Sequence, residues 1–163
     1  MTTKALNEKI IMTKEGYDKL KAELITLRGD GRAEIAANLE EARGFGDLSE
    51  NAEYHSAKDE QGKLETRIFL LEYQLSKAHV IDTKNIDTSK ANIGTTITIK
   101  DLDSNKTHIY TLVGTEEADI KENRISASSP VGKAIIGQSV GTKVMARTPR
   151  GIRHLKIVKI DLK

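Results

Sequence analysis

The stretch that decides the fold is AKDEQGKLETRIFLLEYQLSKA, residues 57–78. Its seam positions alternate in steps of four and three residues, which is the spacing of a helix face packed against a second helix. These positions are Ala57, Gln61, Leu64, Ile68, Leu71, Leu75 and Ala78. Gln61 is the polar member of the set, so the stretch predicts one helix of an antiparallel coiled coil.

A matching helix is predicted upstream, beginning after Thr13, which is a favourable N-cap residue. Its seam residues are Tyr17, Leu20, Leu24 and Leu27, followed by Ile35 and Leu39. Gly29-Asp30-Gly31 interrupts this pattern, and each glycine costs roughly 1 kcal/mol relative to alanine inside a helix. The positions beyond it are shifted by one residue from a strict heptad, so we expect a kink, a local unwinding or a stutter there.

The two helices are joined by residues 43–50, RGFGDLSE. We expect Gly44 to end the first helix in a left-handed conformation and Asp47 to start the second. Such a short connection makes the helices antiparallel neighbours, and about 30 residues per helix correspond to an arm of ~45 Å. Residues 1–79 are therefore predicted to form an antiparallel coiled-coil domain with an acidic tip, Asp47 and Glu50.

After His79 the pattern changes to strands, at residues 95–100, 107–113, 125–129, 143–148 and 152–160. A short helix from Pro130 to Ile136 is predicted, with Ser129 as its N-cap and the proline in its first turn. Residues 80–163 are thus predicted to form an antiparallel α+β domain. A linker at 81–91, rich in Asp, Thr, Asn and Ser, joins the domains.

Composition excludes several classes of protein. The chain has no Cys, so disulfides and thiolate zinc sites are excluded. No apolar run approaches the ~20 residues of a membrane span, and Met1–Lys9 lacks a secretory signal, so we expect a soluble cytoplasmic protein.

The net charge is −3 for residues 1–79 and +5 for 80–163, which fits either oriented docking on a charged partner or ordinary scatter. The total of +2 is too modest to indicate independent DNA binding.

Asp47 and Glu50 are the foremost candidates for chemistry. Two carboxylates three residues apart at a helix start form a hard oxygen site that suits Mg²⁺, although alone they bind it weakly. The same spacing also fits a capping box, in which each side chain accepts a backbone N–H. The spacing favours the cap, and both interpretations stay open.

Other arrangements give weaker signals. The four His residues lack zinc spacing, and no phosphate-binding loop is present. Arg43 and Lys58 flank the loop and fit either phosphate contacts or a solvated basic face. Phe45 could pack against Tyr54 or insert into a partner. Ser129 is better explained as a capping residue than as a nucleophile.

Residues 46–55, GDLSENAEYH, closely resemble the tip signature of the bacterial Gre transcript-cleavage factors, GreA type. Residues 41–43 also match that family, residues 78–82 resemble its domain junction, and residues 125–137 resemble its C-terminal signature. The resemblance runs from about Ile11 to Lys159. A short basic cluster near the tip is more similar to the GreA type than to the strongly basic GreB type.

The resemblance implies an FKBP-like C-terminal domain that docks on RNA polymerase and a coiled coil that enters the secondary channel. In a backtracked complex, Asp47 and Glu50 would help to retain the second Mg²⁺ and orient the attacking water. The polymerase then cleaves its own transcript, so we expect no independent enzyme activity and no tightly bound cofactor. Mg²⁺ would be shared with the polymerase active site.

The resemblance also implies roles at other matching positions: RNA contact for Arg43 and Lys58, support of the tip for Gly46, Asn51 and Tyr54, and polymerase docking for Ser129 and Pro130. The implied partners are RNA polymerase and the 3′ end of the nascent RNA. No membrane partner is expected, and the chain is expected to be a monomer.

Two alternatives follow from the same family. Inhibitory relatives occupy the channel without stimulating cleavage, but the spacing of Asp47 and Glu50 is that of the stimulating members. Phe45 replaces a more usual polar residue, which leaves the loop conformation open. The FKBP-like fold raises a peptidyl-prolyl isomerase interpretation. Tyr110 is the single aromatic residue after His79, so an aromatic-lined proline pocket is missing.

Overall fold

The computed structural model describes residues 9–162. They form two compact units. The helical unit is Tyr17–Ala78, and the sheet unit combines Lys9–Gly16 with residues 79–162. Lys9–Gly16, assigned from sequence to the coiled-coil domain, therefore clusters with the residues that follow the coiled coil.

The helical unit is an antiparallel helix pair, as predicted. One side consists of α1 (Lys14–Thr26), a π-helical turn (Leu27–Gly31) and α2 (Arg32–Arg43), and the other is α3 (Ala52–Lys77). The buried seam consists of Leu20, Leu24, Leu39, Ala42, Ala57, Ile68 and Leu71. The 26 residues of α3 correspond to about 39 Å of helix at 1.5 Å per residue.

The π-helical turn explains the shifted seam. Two heptads after Leu24 and Leu27 the seam would fall at positions 38 and 41, whereas the buried residues are Leu39 and Ala42. A π turn accommodates one extra residue, which returns the later positions to the seam. The local unwinding expected at Gly29–Gly31 is confirmed.

Charged side chains link the two sides of the helix pair around this turn. Among the described residues, salt bridges across the pair join Arg28 to Glu72, Arg32 to Glu65 and Arg67 to Glu23. Arg32 and Arg67 each donate two hydrogen bonds to one carboxylate, at 2.7–2.9 Å. All six side chains are exposed, so they contribute more to alignment than to stability.

The sheet unit contains a sheet of five strands: β3 (Thr95–Asp101), β4 (Thr107–Val113), β5 (Arg124–Ser126), β6 (Lys143–Thr148) and β7 (Gly151–Leu162). Their order across the sheet is β5-β4-β3-β7-β6. The pairs β3–β4, β3–β7 and β6–β7 are antiparallel, as predicted, but β4 and β5 are parallel. A second, two-stranded sheet joins β1 (Ile10–Thr13) to β2 (Ala78–Ile81), which the sequence patterns did not indicate.

One face of the five-stranded sheet forms the core. Alternate residues of β3, including Ile97 and Ile99, are buried there together with Ile135 of α4 (Pro130–Ile135). The predicted N-cap of α4 is confirmed, because the Ser129 hydroxyl accepts the Gly132 N–H at 3.1 Å. A side chain at Gly132 would lie 2.0 Å from the carbonyl oxygen of Ser126, so this helix packs too closely for any other residue.

The first turn of α1 is held within the sheet unit. The Thr13 hydroxyl accepts the Gly16 N–H at 3.1 Å, which confirms the predicted N-cap. The buried carboxylate of Glu117 accepts the Thr13 N–H at 2.9 Å and the Thr13 hydroxyl. This carboxylate thus satisfies the N–H of the N-cap residue and lies at the positive end of the helix dipole, which favours a negative charge.

Candidate functional site

The helices of the helical unit are joined by an exposed loop. α2 ends at Arg43 and α3 begins at Ala52. The expectation that Gly44 is left-handed is wrong, since its φ is −67°. Gly46 has the positive φ instead, at 124°, which explains the need for glycine at that position.

Asn51 is the residue that caps α3. Its side-chain oxygen accepts the Tyr54 N–H at 3.0 Å, and its side-chain amide donates to the Ala42 carbonyl at 2.5 Å. The predicted start of this helix at Asp47 is therefore wrong, and so is the capping box. The helix begins five residues later, because the buried Asn51 amide bonds both helices at once.

Asp47 is engaged inside the loop rather than at the helix. Its Oδ1 accepts the Ser49 backbone N–H and the Ser49 hydroxyl, each at 2.9 Å. These bonds, first from the N–H and then from the hydroxyl, lower the pKa of the Asp47 carboxyl, which is therefore ionised at neutral pH. Its Oδ2 accepts no hydrogen bond from the described residues.

Glu50 follows in the same exposed turn. Within residues 9–162 its carboxylate makes no hydrogen bond and no ion pair. Neither acidic side chain of the tip is thus used to start a helix. Both offer carboxylate oxygen to solvent, which is the ligand type that Mg²⁺ prefers.

The tip alone does not form a complete metal site. Residues 9–162 contain no group of three or more Asp, Glu, His or Cys side chains placed to hold one ion. Mg²⁺ requires six oxygen ligands in near-octahedral geometry, and two carboxylates supply a minority of them. A Mg²⁺ ion held by these two carboxylates would therefore need its remaining ligands from elsewhere.

The basic candidates lie on the helices beside the loop. Arg43 is the last residue of α2 and is exposed. Lys58 lies in the second turn of α3, and its Nζ donates to the Gln61 side chain at 2.8 Å. No ion pair joins either residue to Asp47 or Glu50 in the described part of the chain, so both cations remain available to an anionic partner.

Phe45 is 66% exposed and borders an open groove of about 300 Å³ between α2 and α3. Tyr54 has its ring edge-on to His55, with the ring centroids 6.1 Å apart. The exposure of Phe45 excludes the buried contact with Tyr54 that the sequence left open.

A second candidate surface lies in the sheet unit. Ser129 and Pro130 border a cavity of about 350 Å³ with a largely apolar lining, together with Tyr110, Ile120 and Val131. Ile120 is 84% exposed, which is unusual for a large apolar side chain. The sequence indicated Ser129 and Pro130, but Tyr110 and Ile120 come from separate segments that the fold brings together.

Comparison with known proteins agrees with this arrangement. Residues 10–80 match the family model described as "Transcription elongation factor, N-terminal", and residues 86–162 match "Transcription elongation factor, GreA/GreB, C-term". The chain is 45% identical to transcription elongation factor GreA of Chloroherpeton thalassium, over 97% of this chain and 100% of that protein. It is also 45% identical to GreA of Thermosipho africanus, over 95% and 98% of the two chains. The chain belongs to the GreA/GreB family of transcription elongation factors.

Solved structures with similarity to the chain come from the same group. The Gfh1 protein of Thermus thermophilus is 28% identical, with a TM-score of 0.44 over 94% of this chain and 99% of that one. The GreA/GreB factor of Nitrosomonas europaea is 21% identical, with a TM-score of 0.41 over 94% and 98%. Among the described residues, no helix combines the length and apolar character required to cross a membrane.

Proposed function

We propose that this protein binds RNA polymerase, inserts its helix pair into the secondary channel and stimulates the polymerase's own Mg²⁺-dependent cleavage of backtracked RNA. The observation that carries the proposal is the tip. Asp47 and Glu50 are exposed carboxylates at the end of a long helix pair. The spacing suggested that they cap α3, but Asn51 is the residue that caps it.

Different residues of the tip would bind the metal, contact the RNA and support the loop. Oδ2 of Asp47 and the Glu50 carboxylate would hold Mg²⁺ at the polymerase active centre, and Glu50 would orient the attacking water. The metal supplies charge stabilisation for the entering and leaving oxygens of phosphodiester cleavage. Arg43 and Lys58 would contact the displaced RNA, while Gly46, Asn51 and Tyr54 keep the loop in shape.

The sheet unit would provide the docking surface. Ser129 and Pro130 lie beside an apolar cavity with an exposed isoleucine, a composition that suits a protein partner. The protein would act in the cytoplasm as a monomer, with no membrane partner and no tightly bound cofactor. Because the polymerase performs the cleavage, the chain itself would not be an enzyme.

A cleavage assay on stalled, backtracked polymerase tests this proposal. We expect the native protein to accelerate RNA cleavage and the Asp47→Asn/Glu50→Gln variant to lose that acceleration while still binding polymerase. Asp59→Asn/Glu60→Gln removes the same charge from an exposed part of α3 outside the loop and serves as the matched control.

Full stimulation by the tip variant would refute the role of the tip. Polymerase binding by the native protein without any acceleration of cleavage would indicate a channel-occupying regulator instead. Cleavage of RNA by the purified protein without polymerase would place it among the nucleases.

A further inference from the structure

The outward side of α3 carries a second regular row of residues in addition to the buried seam. Gly62, Thr66, Phe69 and Tyr73 follow one another in steps of four, three and four residues, so they lie on one side of the helix. All four are exposed, so no element of the described chain covers this outer row. The spacing is typical of a helix surface that packs against another helix.

One half of the outer row projects apolar side chains into solvent. Phe69 is 66% exposed, Tyr73 is 38% exposed, and Leu70 beside them is 44% exposed. These three residues are neighbours on the helix surface and form one apolar ridge, which marks a contact surface in a way that single exposed residues do not. Ser76, the next position of the row, donates its hydroxyl to the Tyr73 carbonyl at 2.7 Å, so burial would leave no unsatisfied donor there.

The other half of the outer row is a depression. Gly62, Thr66 and Leu70 border an open groove of about 520 Å³ on α3. The Thr66 hydroxyl donates to the Gly62 carbonyl at 2.8 Å, so it needs no hydrogen-bond partner from whatever fills this α3 groove.

Gly62 is not required by packing within the chain. It lies in the interior of α3 (Ala52–Lys77), where glycine is the least favourable residue apart from proline. A side chain added at Gly62 would meet nothing within 4 Å. A glycine in the interior of a helix usually has a packing or functional reason, and here the open space above it points to close approach by another chain.

The apolar ridge and the α3 groove match each other across a two-fold axis. If α3 of a second copy packs antiparallel on α3 with the axis between residues 67 and 68, Tyr73 lies opposite Gly62 of the second copy, and Phe69 lies opposite its Thr66. The same rotation brings Tyr73 of the second copy to Gly62, so both grooves are filled at once. A two-fold contact requires a surface of this kind, which is complementary to itself.

We propose that the protein self-associates reversibly through α3, as an antiparallel pair in which the apolar ridge of each copy fills the α3 groove of the other. Covering the exposed parts of the ridge and the facing groove walls removes on the order of 500 Å² per copy, since one aromatic side chain alone buries about 150–250 Å². A total of about 1,000 Å² is at the lower limit of a specific interface, so we expect a weak pair with a Kd on the order of 10–100 µM.

The charges near the axis do not oppose this pairing. Arg67 lies beside the axis, but its side chain is paired with Glu23 of the same copy at 2.7 Å. Two like charges that face each other would repel, whereas this cation is already neutralised within each copy.

A helix of the polymerase is the competing occupant of the outer row. A partner of different sequence would have to supply both a hollow for the ridge and a projection for the groove, whereas a second copy supplies both in register. Pairing would keep the helix pair out of the polymerase channel, so the single chain would be the acting form. That consequence rests on the proposed function, but the pairing itself does not.

Sedimentation equilibrium of the full-length protein, without polymerase, tests the pairing from about 1 µM to about 1 mM. We expect the average mass of the native protein to rise from that of one chain towards that of two. Gly62→Gln should weaken association at least ~10-fold, because its side chain occupies the α3 groove. Tyr73→Ser should have a similar effect by removing an aromatic residue from the centre of the interface.

Gly29→Gln is the matched control, because an added side chain at this exposed glycine of the other side of the helix pair also meets nothing within 4 Å. It should associate as the native protein does. Thermal melts of dilute protein establish that the variants fold, and Gly62→Gln should melt at or above the native temperature because it gains helix propensity.

A native protein that remains a single chain at about 1 mM would overturn the proposal, and so would Gly62→Gln that associates like the native protein. A native protein that stays a single chain, together with a loss of polymerase binding by Gly62→Gln, would overturn it in favour of a polymerase helix as the occupant.

Discussion

At the scale of single residues, Asn51 and Asp47 make different hydrogen bonds in the tip. The Asn51 side chain bonds the backbone of both helices. Oδ1 of Asp47 accepts two hydrogen bonds from Ser49, and its Oδ2 accepts none from the described residues. A carboxylate that held the first turn of α3 would be less able to hold a metal. Because an amide caps this helix, both tip carboxylates are available at the end of the arm.

Asn51 is therefore the residue whose loss should disturb the tip most. We predict that Asn51→Ala destabilises the helical unit by about 1–3 kcal/mol, because it removes both the cap of α3 and the bond to the Ala42 carbonyl, which keeps the Phe45 N–H at 3.2 Å. Thermal unfolding followed by circular dichroism measures this loss. Cleavage stimulation should fall as well, even at temperatures where the variant is folded.

Asn51→Asp separates the two contributions. Aspartate still accepts the Tyr54 N–H but does not donate to the Ala42 carbonyl, so it should recover the cap and fail to restore the link between the helices. An Asn51→Ala variant as stable as the native protein would contradict the assigned role.

At the scale of elements, the π-helical turn determines which residues of α2 face α3. Without its extra residue, Leu39 and Ala42 would rotate away from the seam by ~100°, the turn angle of one helical residue. The carbonyl of Ala42 would then move away from Asn51, and the loop beyond it would lose that anchor. The turn thus couples the packing of the arm to the geometry of its tip.

Two changes at Gly29 test this coupling. A side chain added at Gly29 meets nothing within 4 Å, so Gly29→Ala should leave stability unchanged or raise it by about 0.5–1 kcal/mol. Deletion of Gly29 should instead cost on the order of 2–5 kcal/mol, the range for losing a buried leucine. Chemical denaturation of both variants gives the comparison, and a deletion as stable as Gly29→Ala would refute the assigned role of the turn.

At the scale of the whole molecule, local patterns predicted most of the elements. The seam of α3 is regular over 22 residues, which predicted the helix although not its start, and β3, β4, β6 and β7 were predicted close to their observed bounds. The family resemblance then assigned the tip residues. The periodicity of apolar residues was sufficient to predict an element wherever one of its faces is buried against a single neighbour.

Features that depend on distant pairings were not predictable in the same way. Whether Asp47 or Asn51 caps α3 depends on a bond from Asn51 to Ala42 in the other helix, which spacing within one helix does not reveal. The parallel pairing of β5 with β4 depends on contacts between segments that are distant in sequence. Strand order and register are determined by the whole sheet, so the pattern within β5 alone did not indicate this pairing.

The central claim is that the tip supplies ligands for Mg²⁺ in the polymerase active centre. The most direct measurement is the rate of RNA cleavage by backtracked polymerase as a function of Mg²⁺ concentration, with native protein, Asp47→Asn or the control Asp59→Asn. We predict that Asp47→Asn raises the Mg²⁺ concentration for half-maximal cleavage at least ~10-fold, as expected for a lost metal interaction, while Asp59→Asn matches the native protein. The same Mg²⁺ dependence for all three proteins would contradict the account.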